Sequence, residues 1–341
     1  MNFPIVEKRK YFFGVSLVLT MTSIILLFVY GLKPGLDFTG GTLLEVEFTS
    51  TRPEVTAVQE ALVPQNLGSI VVQPVGEQGL ILKTRFVSEE EHQQILGVLR
   101  GLTTANTTSP DTATGAKPDI QIEATAGSNV TVNIEDATAN ENARPEVIEK
   151  RLETIGPVIS AELRSRAIQT GIWVSLAIIA YIAYSFRKVS RPVQSWKYGL
   201  VAVVALFHNV MLTLGVFILL GKYQGVEIDI PLVVALLTIL GASVNDTIVV
   251  FDRIREKLIR HSGRNFAETV NIAINETIGR SINISLAIVL TLTALIFYGG
   301  DSIHYFSLAL LIGIIVGTYS SIFVASPLLV AWEEQRLKRR A

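Results

Sequence analysis

The sequence predicts a polytopic α-helical membrane protein with six transmembrane helices and one external α+β domain of the ferredoxin-like type. Hydrophobic residues make up 49% of the 341 residues and charged residues only 17%, whereas soluble domains carry about 25% charged residues. The apolar residues are concentrated in six long runs. A more polar stretch, residues 31–165, separates the first run from the other five.

Each of the six runs is long enough to cross a bilayer, which takes about 20 predominantly apolar residues. The runs are Tyr11–Tyr30, Ala167–Phe186, Tyr198–Leu220, Pro231–Phe251, Thr277–Tyr298 and Tyr305–Val330. Basic residues precede the first run, as they do in a signal peptide. This run is longer than a signal-peptide core, however, and no small-residue cleavage pattern follows it. We therefore expect it to remain as a membrane anchor.

The orientation of the spans follows from the Lys and Arg residues beside them, which favour the cytoplasmic side. These residues are frequent before the first span, between the second and third, between the fourth and fifth, and after the sixth, whereas only Lys222 lies between the third and fourth spans and none lies between the fifth and sixth. We therefore expect both termini in the cytoplasm and residues 31–165, with 10 basic and 19 acidic residues, outside. The predicted divisions are residues 1–30 (cytoplasmic N-terminus and first span), 31–165 (external domain), 166–330 (five-helix bundle) and 331–341 (basic cytoplasmic tail).

The external segment has the element order β-α-β-β-α-β, which is the ferredoxin-like pattern. In its first strand, apolar and acidic residues alternate, as in a half-buried strand. Both predicted helices begin at a capping box, a hydroxyl residue followed three positions later by Glu. The predicted elements are strand Thr42–Phe48, helix Thr51–Leu62, strands Ser69–Gln73 and Gly79–Lys83, helix Ser88–Leu99 and strand Lys150–Ile155. Residues 103–128 are rich in small polar residues and predict a mobile insertion.

Asp246 is the only acidic residue inside an apolar run. A charged side chain within a membrane costs several kcal/mol, so it usually faces protein or a water-filled path. Asp is also too short to reach the interface as easily as Lys or Arg. These facts make Asp246 a candidate proton site, although it lies towards the cytoplasmic end of its span and the alternative is a carboxylate that reaches that interface.

Other polar residues in the spans are weaker candidates for functional residues. His208 titrates near neutral pH, and Asn245 lies beside Asp246, but both residue types often serve only as interhelical hydrogen-bond partners. Arg280 lies near the cytoplasmic end of the fifth span and also satisfies the orientation rule. The hydroxyl residues Thr238, Ser243 and Thr247 lie on or near one face of the same helix and are candidates to bind water. The GxxxG pair Gly313 and Gly317 predicts close packing of helices.

Several function classes are excluded by what the sequence lacks. It contains no cysteine and neither of the motifs GxxxxGK(S/T) and HExxH, which bind nucleotides and zinc respectively. We therefore predict no catalytic residues, no metal, no cofactor and no enzymatic activity, so any transport has to draw on an ion gradient. The net charge of −1 gives no indication of a nucleic-acid partner.

Several stretches resemble the SecD/SecF family of protein-export membrane subunits, within the resistance–nodulation–division superfamily. The resemblance covers the chain except for residues 103–146 and is strongest in the fourth span. It is carried by residues 35–42 (GLDFTGGT), 156–160 (GPVIS), 208–210 (HNV), 241–256 (GASVNDTIVVFDRIRE), 277–281 (TIGRS) and 313–325. Of these, the first contains the signature residues Gly35, Asp37, Gly40 and Gly41, and the second contains Gly156 and Pro157.

Some of the signature residues also have simple structural explanations. Gly40 and Gly41 allow a tight turn before the first strand, and Pro157 suits the start of a helix. The alternative for Gly40 and Gly41 is a contact with substrate. The alternative for Pro157 is a hinge that transmits movement between the external domain and the membrane.

The resemblance implies a subunit of the Sec export machinery in the bacterial inner (plasma) membrane. Its implied partners are SecD, the SecYEG translocon, an unfolded exported polypeptide and the lipid bilayer. It further implies that Asp246 and Arg280 form an ion pair in a proton pathway. Asn245 and His208 are candidates for further members of that pathway on the grounds of residue type and position. Two alternatives remain open, a proton-coupled exporter of small molecules or lipids and a scaffold without ion flux.

Overall fold

The computed structural model describes residues 3–49, 51–105, 147–185, 194–260 and 265–338. The chain divides into two compact units, residues 39–161 and residues 1–38 together with 162–341. Residues 106–128 of the predicted insertion lie outside the described residues. Six basic residues that contribute to the orientation argument also lie outside them, namely Arg187, Lys188, Arg191, Arg264, Arg339 and Arg340.

Two helices precede the sheet, α1 (Arg9–Tyr30) and the short α2 (Leu36–Thr39). The smaller unit then contains β1 (Gly41–Phe48), α3 (Val55–Leu62), β2 (Val71–Val75), β3 (Gly79–Thr84), α4 (Glu89–Ala105) and β4 (Val147–Ile155). The four strands form one antiparallel sheet in the order β2-β3-β1-β4. This order confirms the predicted ferredoxin-like fold.

The core of the α+β unit forms because alternate residues of β1 point to one side of the sheet. Leu44, Val46 and Phe48 are almost completely buried, and Leu44 and Val46 pair directly with Leu82 and Leu80 of β3. Apolar residues of α3 and α4 close this core.

Of the two predicted capping boxes, the second is present and the first is not. At the start of α4, the Ser88 N–H donates to Glu91 Oε2 at 2.9 Å, and the Glu91 N–H donates to Ser88 Oγ at 3.4 Å. The prediction that the preceding helix begins at Thr51 is wrong, since α3 begins only at Val55. The reason is Pro53, which disfavours helical geometry at the residue before it.

The remaining helices are α5 (Pro157–Ser185), α6 (Ser195–Gln224), α7 (Ile230–Arg260), α8 (Phe266–Tyr298), α9 (Asp301–Ser320) and α10 (Ser326–Lys338). A five-residue π-helix, Ser321–Ala325, joins α9 to α10. Within the described ranges, six helical stretches are long and apolar enough to cross a membrane, with α9 to α10 counted as one. The six predicted spans are thus confirmed, and the protein is a multi-pass membrane protein.

Helix α9 is central to the bundle, since it packs against α6, α7 and α8. Helix α1 packs against α6 through small polar residues, because its buried positions are Ser16, Thr20 and Ser23 while most of its large apolar side chains face outward. Small residues allow membrane helices to approach closely. The π-helix precedes Pro327, whose missing N–H and ring disturb regular helical hydrogen bonding.

Candidate functional site

Asp246 lies at the meeting point of three helices. It is half-buried on α7, and its Oδ2 accepts a hydrogen bond from Thr318 Oγ1 of α9 at 3.3 Å. Thr318 Oγ1 in turn lies 2.5 Å from Ser285 Oγ of α8. The carboxyl group therefore connects to both neighbouring helices through two buried hydroxyls, which we call the hydroxyl pair.

The hydroxyl pair has more acceptors within reach than hydrogens to donate. Besides Asp246, Thr318 Oγ1 lies 3.0 Å from the Ile314 carbonyl, and Ser285 Oγ lies 2.8 Å from the Ser281 carbonyl. Each hydroxyl carries one hydrogen but accepts through two lone pairs. The pair can therefore point its hydrogens towards an ionised Asp246, or away from a protonated one that itself donates.

A second polar cluster lies between α6, α7 and the end of α9. His208 Nδ1 and Asn209 Oδ1 are 3.1 Å apart, and Asn209 Nδ2 donates to Ser243 Oγ at 2.6 Å. On the next turn of α7, Thr247 Oγ1 is 2.8 Å from Ser321 Oγ of the π-helix. All of these side chains are buried. The π-helix thus presents a hydroxyl to the helix that carries Asp246, and such distortions often occur at functional sites.

His208 has a ring nitrogen without a hydrogen-bond partner among the described residues. Its ring stacks against Tyr319, whose hydroxyl lies 3.1 Å from Ser16 Oγ of α1. With Nδ1 donating to Asn209, the Nε2 atom keeps its lone pair, and among the described residues it has no hydrogen-bond partner. An imidazole in this state can accept a proton.

The structure does not bring all the predicted pathway residues together. No ion pair joins Asp246 to Arg280, two residues that are both described, so their predicted pairing is not seen in this structure and stays a prediction. The reason is helix phase, because Ser281 and Ser285 occupy the buried face of α8 whereas Arg280 is exposed. Asn245 and Thr238 are exposed as well, and Thr238 bonds only its own helix, at the Val234 carbonyl.

The signature residues make two separate sets of contacts. Asp37 Oδ2 accepts from the Ile230 N–H at the start of α7, at 2.7 Å. Within the α+β unit, Gly40 and Gly41 have φ values of 72° and 137°, which favour glycine. A Cβ at Gly40 would lie 3.4 Å from Pro157 Cα, so this turn packs directly against the first residues of α5.

Sequence reasoning assigned no individual role to Thr318, Ser285, Asn209 or Tyr319, although all but Ser285 lie in stretches that carry the family resemblance. Hydroxyl residues in membrane helices commonly bond their own backbone, as Thr318 and Ser285 also do. The one usable signal is that hydroxyl residues are unusually dense in residues 318–326 of the sixth span. No group of three or more His, Asp or Glu side chains that could hold a metal ion occurs in the part of the chain that the structure describes.

Comparisons with known proteins identify the family to which the chain belongs. The family described as protein export membrane protein SecD/SecF, C-terminal, matches residues 135–335, and the SecD/SecF GG motif matches residues 25–51. The chain is 38% identical to the protein translocase subunit SecF of Thermobaculum terrenum, over 98% of this chain and 95% of that protein. It is 33% identical to the subunit of the same name from Desulfurispirillum indicum, over 98% and 93%.

A solved structure has the same fold over nearly the whole chain. This is the crystal structure of SecDF from Thermus thermophilus, described as a translocon-associated membrane protein, with a TM-score of 0.72 and 29% identity. The match covers 98% of this chain but only 39% of the SecDF chain. Because the family match covers more than half of the chain and the named relatives match almost end to end, this protein belongs to the SecD/SecF family of protein-export membrane proteins.

Proposed function

We propose that this protein is a membrane subunit of the Sec machinery that works with SecD and uses the proton gradient to promote late stages of polypeptide translocation through SecYEG. The observation that carries the proposal is the Asp246 carboxyl group, which is half-buried between three helices and contacts a hydroxyl able to donate or accept. The relatives named as translocase subunits support the export role. The solved SecDF chain, which is much longer, supports SecD as the partner.

Proton binding at Asp246 changes which helices the hydroxyl pair holds together. When the carboxylate is ionised, Thr318 donates to it and Ser285 donates to Thr318, so α7, α8 and α9 are tied by one polarised chain. When it is protonated, the carboxyl donates to Thr318, and the hydroxyls turn to the Ile314 and Ser281 carbonyls of their own helices. Hydrogen bonds to charged groups are roughly twice as strong as neutral ones, so protonation loosens the contact between the three helices.

The energy available suits a mechanism that moves more than one charge. One charge that crosses about 150 mV supplies roughly 3.5 kcal/mol. A shift of a two-state equilibrium from 1:99 to 99:1 takes about 5.5 kcal/mol. A pH difference, a second proton or bound polypeptide therefore has to contribute as well. His208, whose Nε2 has no hydrogen-bond partner among the described residues, is a second proton acceptor in our proposal.

Arg280 enters the proposal as a permanent positive charge on α8. Since it makes no contact with Asp246 in this structure, we assign any direct pairing to a second conformation in which α8 has rotated. In that conformation an ionised Asp246 exchanges the hydroxyl pair for the guanidinium. Asn245, exposed beside Asp246, is then in a position to meet the proton on its path.

We propose that the movement reaches the polypeptide through the α+β unit. Both termini lie in the cytoplasm and the α+β unit lies outside the inner membrane in this proposal, as the distribution of basic residues indicates. Helix α5 is one continuous helix of 29 residues that starts at Pro157. It carries the movement outward, and the α+β unit pulls on the emerging unfolded polypeptide or blocks its return.

The test is export by inverted membrane vesicles that contain this protein and its SecD partner, with and without a proton gradient. Asp246→Asn should remove the gradient-dependent part of export and leave the thermal stability of the protein unchanged. The matched control is Asp252→Asn, which alters an exposed carboxylate on the same helix and should export normally. Gradient-dependent export by Asp246→Asn at the wild-type rate would refute the proton mechanism and favour a scaffold.

A further inference from the structure

The start of α7, the helix that carries Asp246, is capped by two carboxylates. Asp229 Oδ1 accepts from the Leu232 N–H at 3.0 Å, the local capping bond that its position just before the helix allows. Pro231 has no N–H to satisfy. The remaining donor, the Ile230 N–H, is bonded at 2.7 Å by Asp37, which lies 193 residues earlier in the chain.

The backbone around Asp37 is fastened to the same end of α7. The Gly35 N–H donates to the Ile228 carbonyl at 2.7 Å, and the Ile228 N–H donates to the Lys33 carbonyl at 2.8 Å. Pro34 and Ile228 form a parallel β-bridge between these bonds. A Cβ at Gly35 would lie 3.0 Å from the Ile228 carbonyl oxygen, which is a tight contact, so the close approach favours glycine here.

Three hydrogen bonds therefore hold residues 33–37, which we call the strap, to residues 228–230. The strap follows α1 directly, and two residues after Asp37 the chain enters the α+β unit. The strap is thus the chain segment between the α+β unit and the anchoring helix, and it is bonded to the helix that carries the titrating carboxyl group. A plain linker turn would need neither the glycine nor the carboxylate.

We propose that Asp37 is a positioning residue, whose carboxylate keeps α7 attached to the strap so that α7 and the chain entering the α+β unit move together. Asp37 carries no proton in this scheme. Its role is to accept the Ile230 N–H and to complement the positive end of the α7 dipole. This inference rests on the proposed function, because it names a second connection, besides α5, through which the state of Asp246 reaches the α+β unit.

The proposal is tested in the vesicle export assay with three variants of the full chain in the presence of SecD. Asp37→Ala removes the acceptor and should reduce gradient-dependent export about fivefold, which corresponds to the loss of a helix cap of about 1 kcal/mol. Asp37→Asn keeps an acceptor oxygen and should retain at least half of the wild-type rate. The matched control Asp229→Ala, which removes the local cap of the same helix, should preserve the strap and the gradient dependence.

A cross-link separates attachment from proton chemistry. The chain has no cysteine, so Pro34→Cys together with Ile228→Cys introduces a single pair at the β-bridge. Paired strands lie about 4.8 Å apart, which is within the Cα–Cα range of a disulfide. Oxidation of this pair in the Asp37→Ala background should restore gradient-dependent export, and reduction should abolish the rescue. Thermal stability of each variant in detergent shows whether any loss reflects a misfolded protein.

The results distinguish a failure of the positioning role from a failure of the proposed function. Wild-type gradient dependence in Asp37→Ala overturns the positioning role, and so does an Asp37→Asn variant as inactive as Asp37→Ala that oxidation does not rescue, since the charge itself would then be required. Asp246→Asn, assayed in parallel, reports separately on the proton mechanism. If that variant retains gradient-dependent export, the proposed function fails whatever Asp37 does. If only Asp37→Ala retains it, the positioning role alone fails.

Discussion

Thr318 of α9 donates its hydroxyl to Asp246 of α7 across 3.3 Å, and the same oxygen lies 2.5 Å from Ser285 of α8. The carboxyl group on which proton coupling depends in our proposal is therefore held by hydroxyls rather than by a cation. A hydroxyl can reverse its role when the carboxyl gains a proton, whereas a guanidinium can only donate. This difference makes Thr318 the residue whose replacement tests the site most directly.

Thr318→Val should reduce gradient-dependent export about tenfold, because a hydrogen bond to a charged group contributes about 1.5–3 kcal/mol. The change keeps the shape of the side chain and removes only the hydroxyl. Thr318→Ser, which restores the hydroxyl, should recover most of the rate. The control is Thr293→Val on α8, whose hydroxyl bonds its own helix at the Val289 carbonyl and has no other partner in the described part of the chain. Equal export by Thr318→Val and wild type would show that the hydroxyl pair takes no part.

The fold could be predicted from the sequence because its signals are local. Long apolar runs gave the six spans, and alternation in residues such as Leu44, Val46 and Phe48 gave the sheet. Asp246 was identifiable because a carboxylate within a membrane helix is costly wherever its partners lie. Those partners were not identifiable, because no spacing along the chain tells which hydroxyls of α8 and α9 meet α7. The Asp37 contact was hidden for the same reason, since its partner lies 193 residues away.

Gly313 should tolerate no larger side chain, because a Cβ there would overlap the side chain of Ile239 on α7. Overpacking of this kind costs about 1–3 kcal/mol, so Gly313→Ala should lower the thermal unfolding midpoint in detergent.

The matched control is Gly279→Ala on α8, where no atom lies within 4 Å of the added methyl group. That variant should be neutral or slightly stabilising, since Ala favours helix over Gly by about 1 kcal/mol. Equal midpoints for the two variants would contradict close packing of α9 on α7.

Glu91 should make the start of α4 sensitive to acid. The Arg85 guanidinium bonds both of its carboxylate oxygens and, together with the Ser88 N–H, holds the pKa of Glu91 below its ordinary value. A lowered pKa means that the folded state favours the ionised form. The stabilisation is therefore present above the unfolded pKa of about 4.3 and is lost as the pH falls through the folded pKa.

The measurement for Glu91 is amide hydrogen exchange in the first turns of α4, compared between Glu91→Gln and wild type at matched pH. The variant should exchange faster at neutral pH, and the difference should disappear in acid. Glu60→Gln, which alters an exposed carboxylate on α3, should match wild type throughout. A difference between Glu91→Gln and wild type that persists at low pH would mean that the capping box acts independently of charge.

Lys197 and Glu333 form a buried ion pair, and we expect the loss of one partner to reduce the stability of the protein more than the replacement of both. Their charged atoms are 2.9 Å apart and their side chains are only 4% and 3% exposed. Removing one partner of such a pair costs about 3–5 kcal/mol, because the other charge stays buried without compensation, whereas apolar replacement of both is often nearly neutral. Glu333→Gln should therefore lower the thermal midpoint sharply, and Lys197→Met combined with Glu333→Met should recover much of the loss.

The more exposed pair Arg9 and Glu334 provides the control cycle, in which the single and double substitutions should both change the thermal midpoint only slightly. Additive losses at Lys197 and Glu333 would show that the two charges are stabilised separately, with Arg336, which also bonds Glu333 at 3.1 Å, supplying the compensation instead.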